Sequence, residues 1–134
     1  MANDRSVPEP FIVALDRAPT SPMRYDRGTV VRLVDAAMGA KQVDIHLNVI
    51  RAGSPPGPLH YHAMAENCYL VLSGTARIVI GDGDHVVGPN TFVFIPPGVP
   101  HATSNAGAED LHLLEVYAPA APDFHEGVPP QGRG

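Results

Sequence analysis

Apolar and polar side chains alternate along several short stretches of this chain. Between residues 43 and 49 every second residue is apolar, which is the period of a β-strand with one buried face. We therefore expect the side chains at 43, 45, 47 and 49 to face the core. Residues 68–72 and 76–80 are rich in β-forming residues, and the glycine at position 74 between them predicts a hairpin.

Turn-forming residues recur along the rest of the chain. Gly, Pro, Asp and Asn separate further predicted strands at residues 85–87, 91–95 and 111–117. The one plausible helical stretch, residues 34–38, is short and ends at Gly39. Strands that recur at such short intervals favour a sandwich or a barrel over an alternating α/β arrangement. The sequence therefore predicts an all-β fold.

Chain length and the placement of proline indicate a single domain. A chain of 134 residues has room for one hydrophobic core and not for two. Its two ends are rich in Pro, Gly and Ala. We expect an N-terminal arm at 1–25, a β-barrel at 26–117 and a Pro/Gly-rich C-terminal tail at 118–134.

Composition and charge exclude several classes of partner. The formal net charge is −5, and the sequence has no Lys/Arg patch that could neutralise phosphates, so we expect no nucleic-acid partner. No apolar stretch is long enough to cross a bilayer, so we expect no membrane partner. The start of the chain does not resemble a secretory signal, and Cys68 is the only cysteine. These features predict a cytoplasmic protein.

Histidines give the strongest chemical signal. If His60 and His62 lie on an extended segment, their spacing of two puts both imidazoles on one face, close enough to bind one metal ion. The rigid Pro-Pro-Gly turn at 96–98 can deliver His101 from a distant hairpin to the same ion. Glu66 and Asn67 are the candidates for a further ligand.

Two motifs around these histidines resemble those of the cupin superfamily. The first family motif has the form G-x5-H-x-H-x3-4-E-x6-G, and here six residues separate Gly53 from His60. The second has the form G-x5-P-x-G-x2-H-x3-N and matches from residue 96 through His101 to Asn105, with Asn90 in place of its leading glycine. The resemblance covers residues 43–117 and implies a double-stranded β-helix, that is, a jelly-roll barrel.

The acidic ligand is where this chain departs from the family pattern. Counted back from Gly74, the position of the glutamate holds Asn67, whereas the spacing from His62 tolerates Glu66. The site is therefore either three histidines plus Glu66 or essentially a three-histidine site, and we predict that Glu66 takes part. The resemblance implies one divalent metal ion per chain, with Fe, Mn, Ni and Zn as candidates.

Function is only broadly implied by this resemblance, because cupins catalyse many reactions. We predict a metal-dependent enzyme that acts on a small organic substrate, with a mononuclear-metal oxygenase of the dioxygenase type as the first hypothesis. The alternatives are a non-redox isomerase, cyclase or lyase, and a non-catalytic cupin that binds a small molecule. Similar cupins commonly form homodimers by exchanging an arm, for which residues 11–13 are the candidate strand.

Two other histidines are candidates for catalysis. His46 and His112 lie on predicted strands, so each either lines the cavity as a proton carrier or faces solvent. A histidine that projects into the barrel is the first candidate for a general base. Cys68 is interpreted as a buried apolar residue and not as a reactive thiolate.

Overall fold

The computed structural model describes residues 7–130. This part of the chain has eleven β-strands and three single-turn 3₁₀ helices, so the predicted all-β class is confirmed. The helical stretch predicted at 34–38 is one of these turns and ends at Gly39 in the left-handed conformation. The turns are Leu15–Arg17, Arg24–Asp26 and Ala36–Met38. The strands are β1 Thr20–Pro22, β2 Gly28–Val34, β3 Asp44–Ile50, β4 His60–Tyr61, β5 Glu66–Ser73, β6 Ala76–Ile80, β7 Gly83–Val87, β8 Phe92–Ile95, β9 His101–Asn105, β10 Leu111–Ala118 and β11 His125–Glu126.

The strands form two antiparallel sheets. One sheet has the order β1-β2-β3-β10-β5-β8, and the other has the order β11-β4-β9-β6-β7. This is the jelly-roll arrangement that the motifs predicted. The turn at Gly74 joins β5 to β6 but is not the predicted hairpin, because β5 pairs with β8 and β10 whereas β6 pairs with β7 and β9 in the other sheet. A Cβ at this glycine would lie 2.8 Å from the carbonyl oxygen of Asp110, so no larger residue fits there.

A hydrophobic core lies between the sheets. It is formed by buried side chains from both of them, namely Ile50, Tyr69, Val71, Ala76, Ile78, Ile95, Leu111 and Leu113. Burial of one such aliphatic side chain contributes roughly 1.5–3 kcal/mol to folding. A second, smaller cluster contains Ala18, Val31 and Leu47.

Strand β3 alternates as predicted, but its polar side lines the cavity. Asp44, His46 and Asn48 point towards the interior of the barrel together with Ile50, whereas Leu47 packs into the second cluster. The predicted core face of β3 is therefore wrong in part. Alternation separates the two faces of a strand, but it cannot tell a hydrophobic core from a polar cavity.

Both sheets extend beyond residues 26–117. Strand β1 lies inside the predicted arm and pairs with β2, and β11 lies inside the predicted tail and pairs with β4. The outermost parts of the predicted arm and tail, residues 1–6 and 131–134, lie outside the described residues. In the described range, no helix has the length and apolar character required to cross a membrane.

Candidate metal centre

Three predicted ligands converge on one point of the barrel. β4 pairs with β9 so that His60 lies opposite His101, and His62 follows directly after β4. The candidate ligand atoms of these three histidines all lie within 4.8 Å of one another. The ring centroids of His60 and His101 are 4.2 Å apart, and those of His60 and His62 are 5.1 Å apart.

Hydrogen bonds orient all three imidazoles in the same way. Nδ1 of His60 and Nδ1 of His101 each donate to the carbonyl oxygen two residues earlier in the chain, at 2.8 and 2.9 Å. Nδ1 of His62 donates to the carbonyl oxygen of Asp123 at 2.5 Å. A carbonyl oxygen only accepts, so each Nδ1 carries the proton and each Nε2 keeps its lone pair. This is the tautomer that a metal ion requires.

The free nitrogens fit a metal ion. Nε2 of His62 and Nε2 of His101 are buried and have no hydrogen-bond partner among the described residues. A buried polar atom without a partner costs about 1–3 kcal/mol. A divalent cation at the point where these nitrogens meet would remove that cost.

Burial keeps the imidazoles of His60 and His101 neutral. The pKa of His101 is lowered from 6.5 to about 4, chiefly because burial penalises the charged ring. Burial is also the main cause that lowers the pKa of His60. At neutral pH both rings therefore have a lone pair to donate, without competition from protons.

The structure does not bring Glu66 to this centre. Glu66 is an exposed residue at the start of β5, and among the described residues no carboxylate joins the three histidines. Asn67 is fully buried on the other face of the strand, and its Nδ2 donates to Oε2 of Glu115 at 3.1 Å. Because neighbouring residues of a strand point to opposite faces, a shift of one position puts the carboxylate outside the barrel.

Glu115 is the site residue that the sequence analysis missed. It lies on β10, is 6% exposed, and accepts hydrogen bonds from Nε2 of His46 at 2.9 Å and from Nδ2 of Asn48 at 2.8 Å. Its place within the apolar strand at 111–117, on the same face as Leu113 and Tyr117, is a signal that could have identified it.

His46 lines the cavity as a charged group. Its Nδ1 bonds to Oδ1 of Asp44 at 2.8 Å, and its Nε2 bonds to Glu115. Burial opposes the charge, but the two carboxylates outweigh it and raise the pKa of His46 to about 9. Burial likewise opposes the charge on Glu115, and hydrogen bonds led by the one from His46 lower its pKa to about 2. At neutral pH His46 is therefore an imidazolium, which cannot act as the predicted base.

The other catalytic candidate lies elsewhere. His112 is on the opposite face of β10 from Glu115, and it is not among the residues that line the cavity. Cys68 is on the outer face of β5, where burial is the main cause that raises the pKa of its thiol. The structure therefore brings neither side chain to the three histidines.

A cavity of about 310 Å³ opens beside the metal centre. His60 and His62 form part of its wall, and the row of Asp44, His46 and Glu115 forms another part. The rest of the wall is mostly apolar or aromatic, with contributions from Met23, Val30, Ile50, Tyr69, Leu113, Tyr117 and Phe124. This volume suits a small organic molecule.

Comparison with known protein families and sequences gives one family match and several partial relatives. The profile of the family described as "Cupin domain" matches residues 47–117. The chain is 43% identical over 60 residues to mannose-1-phosphate guanylyltransferase RfbM of Salmonella typhimurium, which covers 45% of this chain and 12% of that protein. A mannose-1-phosphate guanylyltransferase of Escherichia coli is 41% identical over 59 residues, with 43% and 12% covered. The chain thus spans about 12% of the length of these relatives.

Solved structures show the same fold at low sequence identity. The polyketide cyclase RemF from Streptomyces resistomycificus superposes with a TM-score of 0.77 and 22% identity, and the match covers 92% of this chain and 89% of that one. The oxalate decarboxylase of Lactobacillus farciminis has a TM-score of 0.68 and 20% identity, with 79% and 33% covered. At these identities the likeness concerns the fold alone.

Proposed function

Because this chain belongs to the cupin domain family, we propose that it is a metal-dependent enzyme that binds one divalent ion per chain at His60, His62 and His101. One observation supports this proposal above all: two buried Nε2 atoms meet without a partner among the described residues. A sealed arrangement of structural histidines would have given these acceptor atoms a hydroxyl or N–H donor. Imidazole ligands suit Fe, Ni and Zn, and Mn remains a candidate from the sequence.

The reaction that the geometry favours is a non-redox one. An ion held by His60, His62 and His101 would supply Lewis acidity towards an oxygen atom of the substrate. In the same cavity, Asp44, His46 and Glu115 form one hydrogen-bonded row with a proton on each ring nitrogen. Groups whose pKa values are driven apart in this way are typical of sites that transfer protons. We therefore propose isomerisation, cyclisation or elimination as the reaction class.

An oxygenase is the second candidate. The described residues supply three histidine ligands and no carboxylate, so an ion would keep positions for both a substrate and dioxygen. This hypothesis requires iron, manganese or nickel and a redox reaction.

The lining of the cavity supports a proposal for the substrate class. Its aromatic wall includes Tyr69, Tyr117 and Phe124, which suits a planar molecule with hydroxyl or carbonyl groups. We propose a small oxygen-bearing aromatic compound. The names of the similar proteins add two further classes to test, namely sugar phosphates and small dicarboxylates.

The experiment begins with elemental analysis of the untagged protein, followed by reloading with Fe, Mn, Ni or Zn. The loaded protein is then incubated with the three compound classes, with and without oxygen, and products are detected by mass spectrometry. Turnover without oxygen supports the non-redox proposal, and oxygen consumption coupled to product supports the oxygenase. Binding without turnover in any metal form would show a non-catalytic binding protein. Failure to bind any of the four metals would overturn the metal centre.

We also propose that two copies of the chain associate. Residues 11–13 belong to no helix or strand and are exposed, and Ile12 buries none of its side chain against the described part of the chain. Strand β8 is one of the two edges of its sheet as formed by the described strands, and it exposes Phe92 and Phe94. A second copy would cover both features, because an exposed apolar edge strand favours pairing. Analytical ultracentrifugation at several concentrations tests this, and a monomer throughout would refute it.

A further inference from the structure

The segment that follows β10 turns back over the cavity. Pro122, Asp123 and Phe124 line the cavity wall, and β11 pairs with β4, the strand that contains His60. Residues 122–126 are called the strap below. The sequence had placed them in a tail outside the barrel.

Among residues 7–130, the strap makes the one distant hydrogen bond to the imidazole ring of a candidate ligand. His60 and His101 find their carbonyl acceptors two residues away, within their own loops. His62 instead donates to the carbonyl oxygen of Asp123, which is 61 residues further along the chain. The orientation of His62 therefore depends on the position of the strap.

The side chain of Asp123 fastens the strap to the loop after His62. Its Oδ2 accepts a hydrogen bond from the backbone nitrogen of Ala63 at 2.5 Å, and its Oδ1 accepts one from that of Met64 at 3.1 Å. The same carboxylate bonds to Nε2 of His125 at 2.9 Å. One residue thus anchors the loop and also supplies the acceptor for His62.

Phe124 adds a second contact with the metal centre. Its ring stacks on His60, with a centroid distance of 4.7 Å and an angle of 22°. The guanidinium carbon of Arg24 lies 4.5 Å from the centroid of the same ring, and Tyr25 donates a hydrogen bond to Glu126. The strap therefore contacts two of the three histidines and the segment before β2.

In the described part of the chain, the strap has few other attachments to the barrel, namely the pairing of β11 with β4 and the stacking of His125 on Tyr61 at a centroid distance of 5.0 Å. Its strand β11 is two residues long, and none of its side chains belongs to either hydrophobic cluster. Most of its contacts lie at or next to the histidines. The contacts that dock the strap are therefore largely the contacts that orient the ligands.

We infer that the strap positions His62 for metal binding, so that metal occupancy and strap docking strengthen each other. Asp123 is a positioning residue, because its carbonyl holds Nδ1 of His62 and directs Nε2 towards the ion. Coupling of this kind is reciprocal, so a bound ion also holds the strap closed over the cavity. This inference rests on the proposed metal centre.

The test compares Asp123→Ala with Asp84→Ala in the full-length protein. Asp84 is an exposed carboxylate that pairs with Arg77 on the β6–β7 hairpin, so its removal leaves the strap intact. Zinc affinity is measured by competition with a chelating dye, and thermal unfolding of the metal-free proteins checks the fold. We expect about tenfold weaker zinc binding in Asp123→Ala, as is typical when support of a ligand is lost, and no change in Asp84→Ala. Asp123→Asn keeps one side-chain oxygen that can accept a hydrogen bond, so its zinc affinity should fall by less than that of Asp123→Ala.

Hydrogen exchange supplies an independent measurement. In the wild-type protein, zinc should slow exchange at the amides of Ala63, Met64 and Gly127, which bond to the strap or lie just after it. In Asp123→Ala this slowing should be lost. If the wild-type protein binds zinc and Asp123→Ala matches it in affinity and exchange, the strap inference is overturned and the metal centre stands. If the wild-type protein binds no metal, the proposed function itself is overturned.

Discussion

Replacing Glu115 by glutamine should reveal the buried charge pair beside the metal centre. The change keeps the shape of the side chain but removes the carboxylate that bonds to His46, Asn48 and Asn67. An amide at this place is neutral and offers one oxygen where the carboxylate offers two. His46 then loses one of its two charged partners.

The size of the effect follows from the pKa of His46, which is about 9 in the folded protein against an ordinary value of 6.5. That difference corresponds to roughly 3 kcal/mol of folding free energy. Because the folded pKa is raised, this stability is fully present below about pH 6.5 and is lost as the pH rises through 9. Removing one partner of a buried ion pair costs a similar amount, about 3–5 kcal/mol.

The assay is urea unfolding of the metal-free protein, followed by circular dichroism at about pH 6.5 and about pH 9. We expect Glu115→Gln to be roughly 3 kcal/mol less stable than the wild type at the lower pH. At the higher pH the wild-type protein has lost most of the contribution of His46, so the difference should shrink to less than half. Glu66→Gln makes the same substitution on an exposed residue and should change stability by less than about 0.5 kcal/mol at either pH.

Two results would refute this reasoning. A difference between the wild type and Glu115→Gln that is equal at both pH values would show that Glu115 does not hold the charge on His46. Equal stability of Glu115→Gln and Glu66→Gln would show that the buried carboxylate makes no net contribution to the free energy of unfolding.

Three further predictions concern the histidines and the cavity wall. His101→Ala should lose most bound metal while His85→Ala, which alters an exposed histidine on β7, keeps it; equal metal content by elemental analysis would contradict the assigned ligand. The metal-free protein should lose stability as the pH falls from 6.5 to about 4, because His101 takes up a proton at a higher pH in the unfolded chain than in the folded one. An unfolding free energy that stays level over this range in both the wild type and His101→Ala would contradict this. Phe124→Leu should weaken binding of aromatic ligands several-fold by calorimetry, and it should also lower zinc affinity because Phe124 stacks on His60; unchanged affinity for aromatic ligands would argue against an aromatic wall.

Much of the metal centre could be predicted from local sequence. The spacing of His60 and His62 and the rigid turn before His101 are local features, and the structure brings these three side chains together. The sequence also showed that Asn67 occupies the family's acidic position when counted from Gly74. Which of Asn67 and Glu66 points into the barrel depends on the register of β5, and that register is set by the pairing of β5 with β10 and β8.

The contacts that Glu115 and Asp123 make could not be predicted in this way. Glu115 acts through His46, Asn48 and Asn67, which come from three positions on two other strands. Asp123 meets His62 only because β11 pairs with β4. Neither contact has a fixed spacing along the chain, so no local pattern predicts it.

Strand periodicity, turn chemistry and histidine spacing are properties of a few neighbouring residues, and they were enough to predict an all-β fold with three histidines at one site. The cupin barrel was implied by the resemblance of two motifs. Which face of β3 is the cavity, which side of β5 is inward, and where the last ten residues of the described chain lie are decided by pairing between distant strands. That pairing sets the surroundings of each buried side chain, and those surroundings determine whether His46 is charged, whether His101 is neutral and whether His62 is held in place.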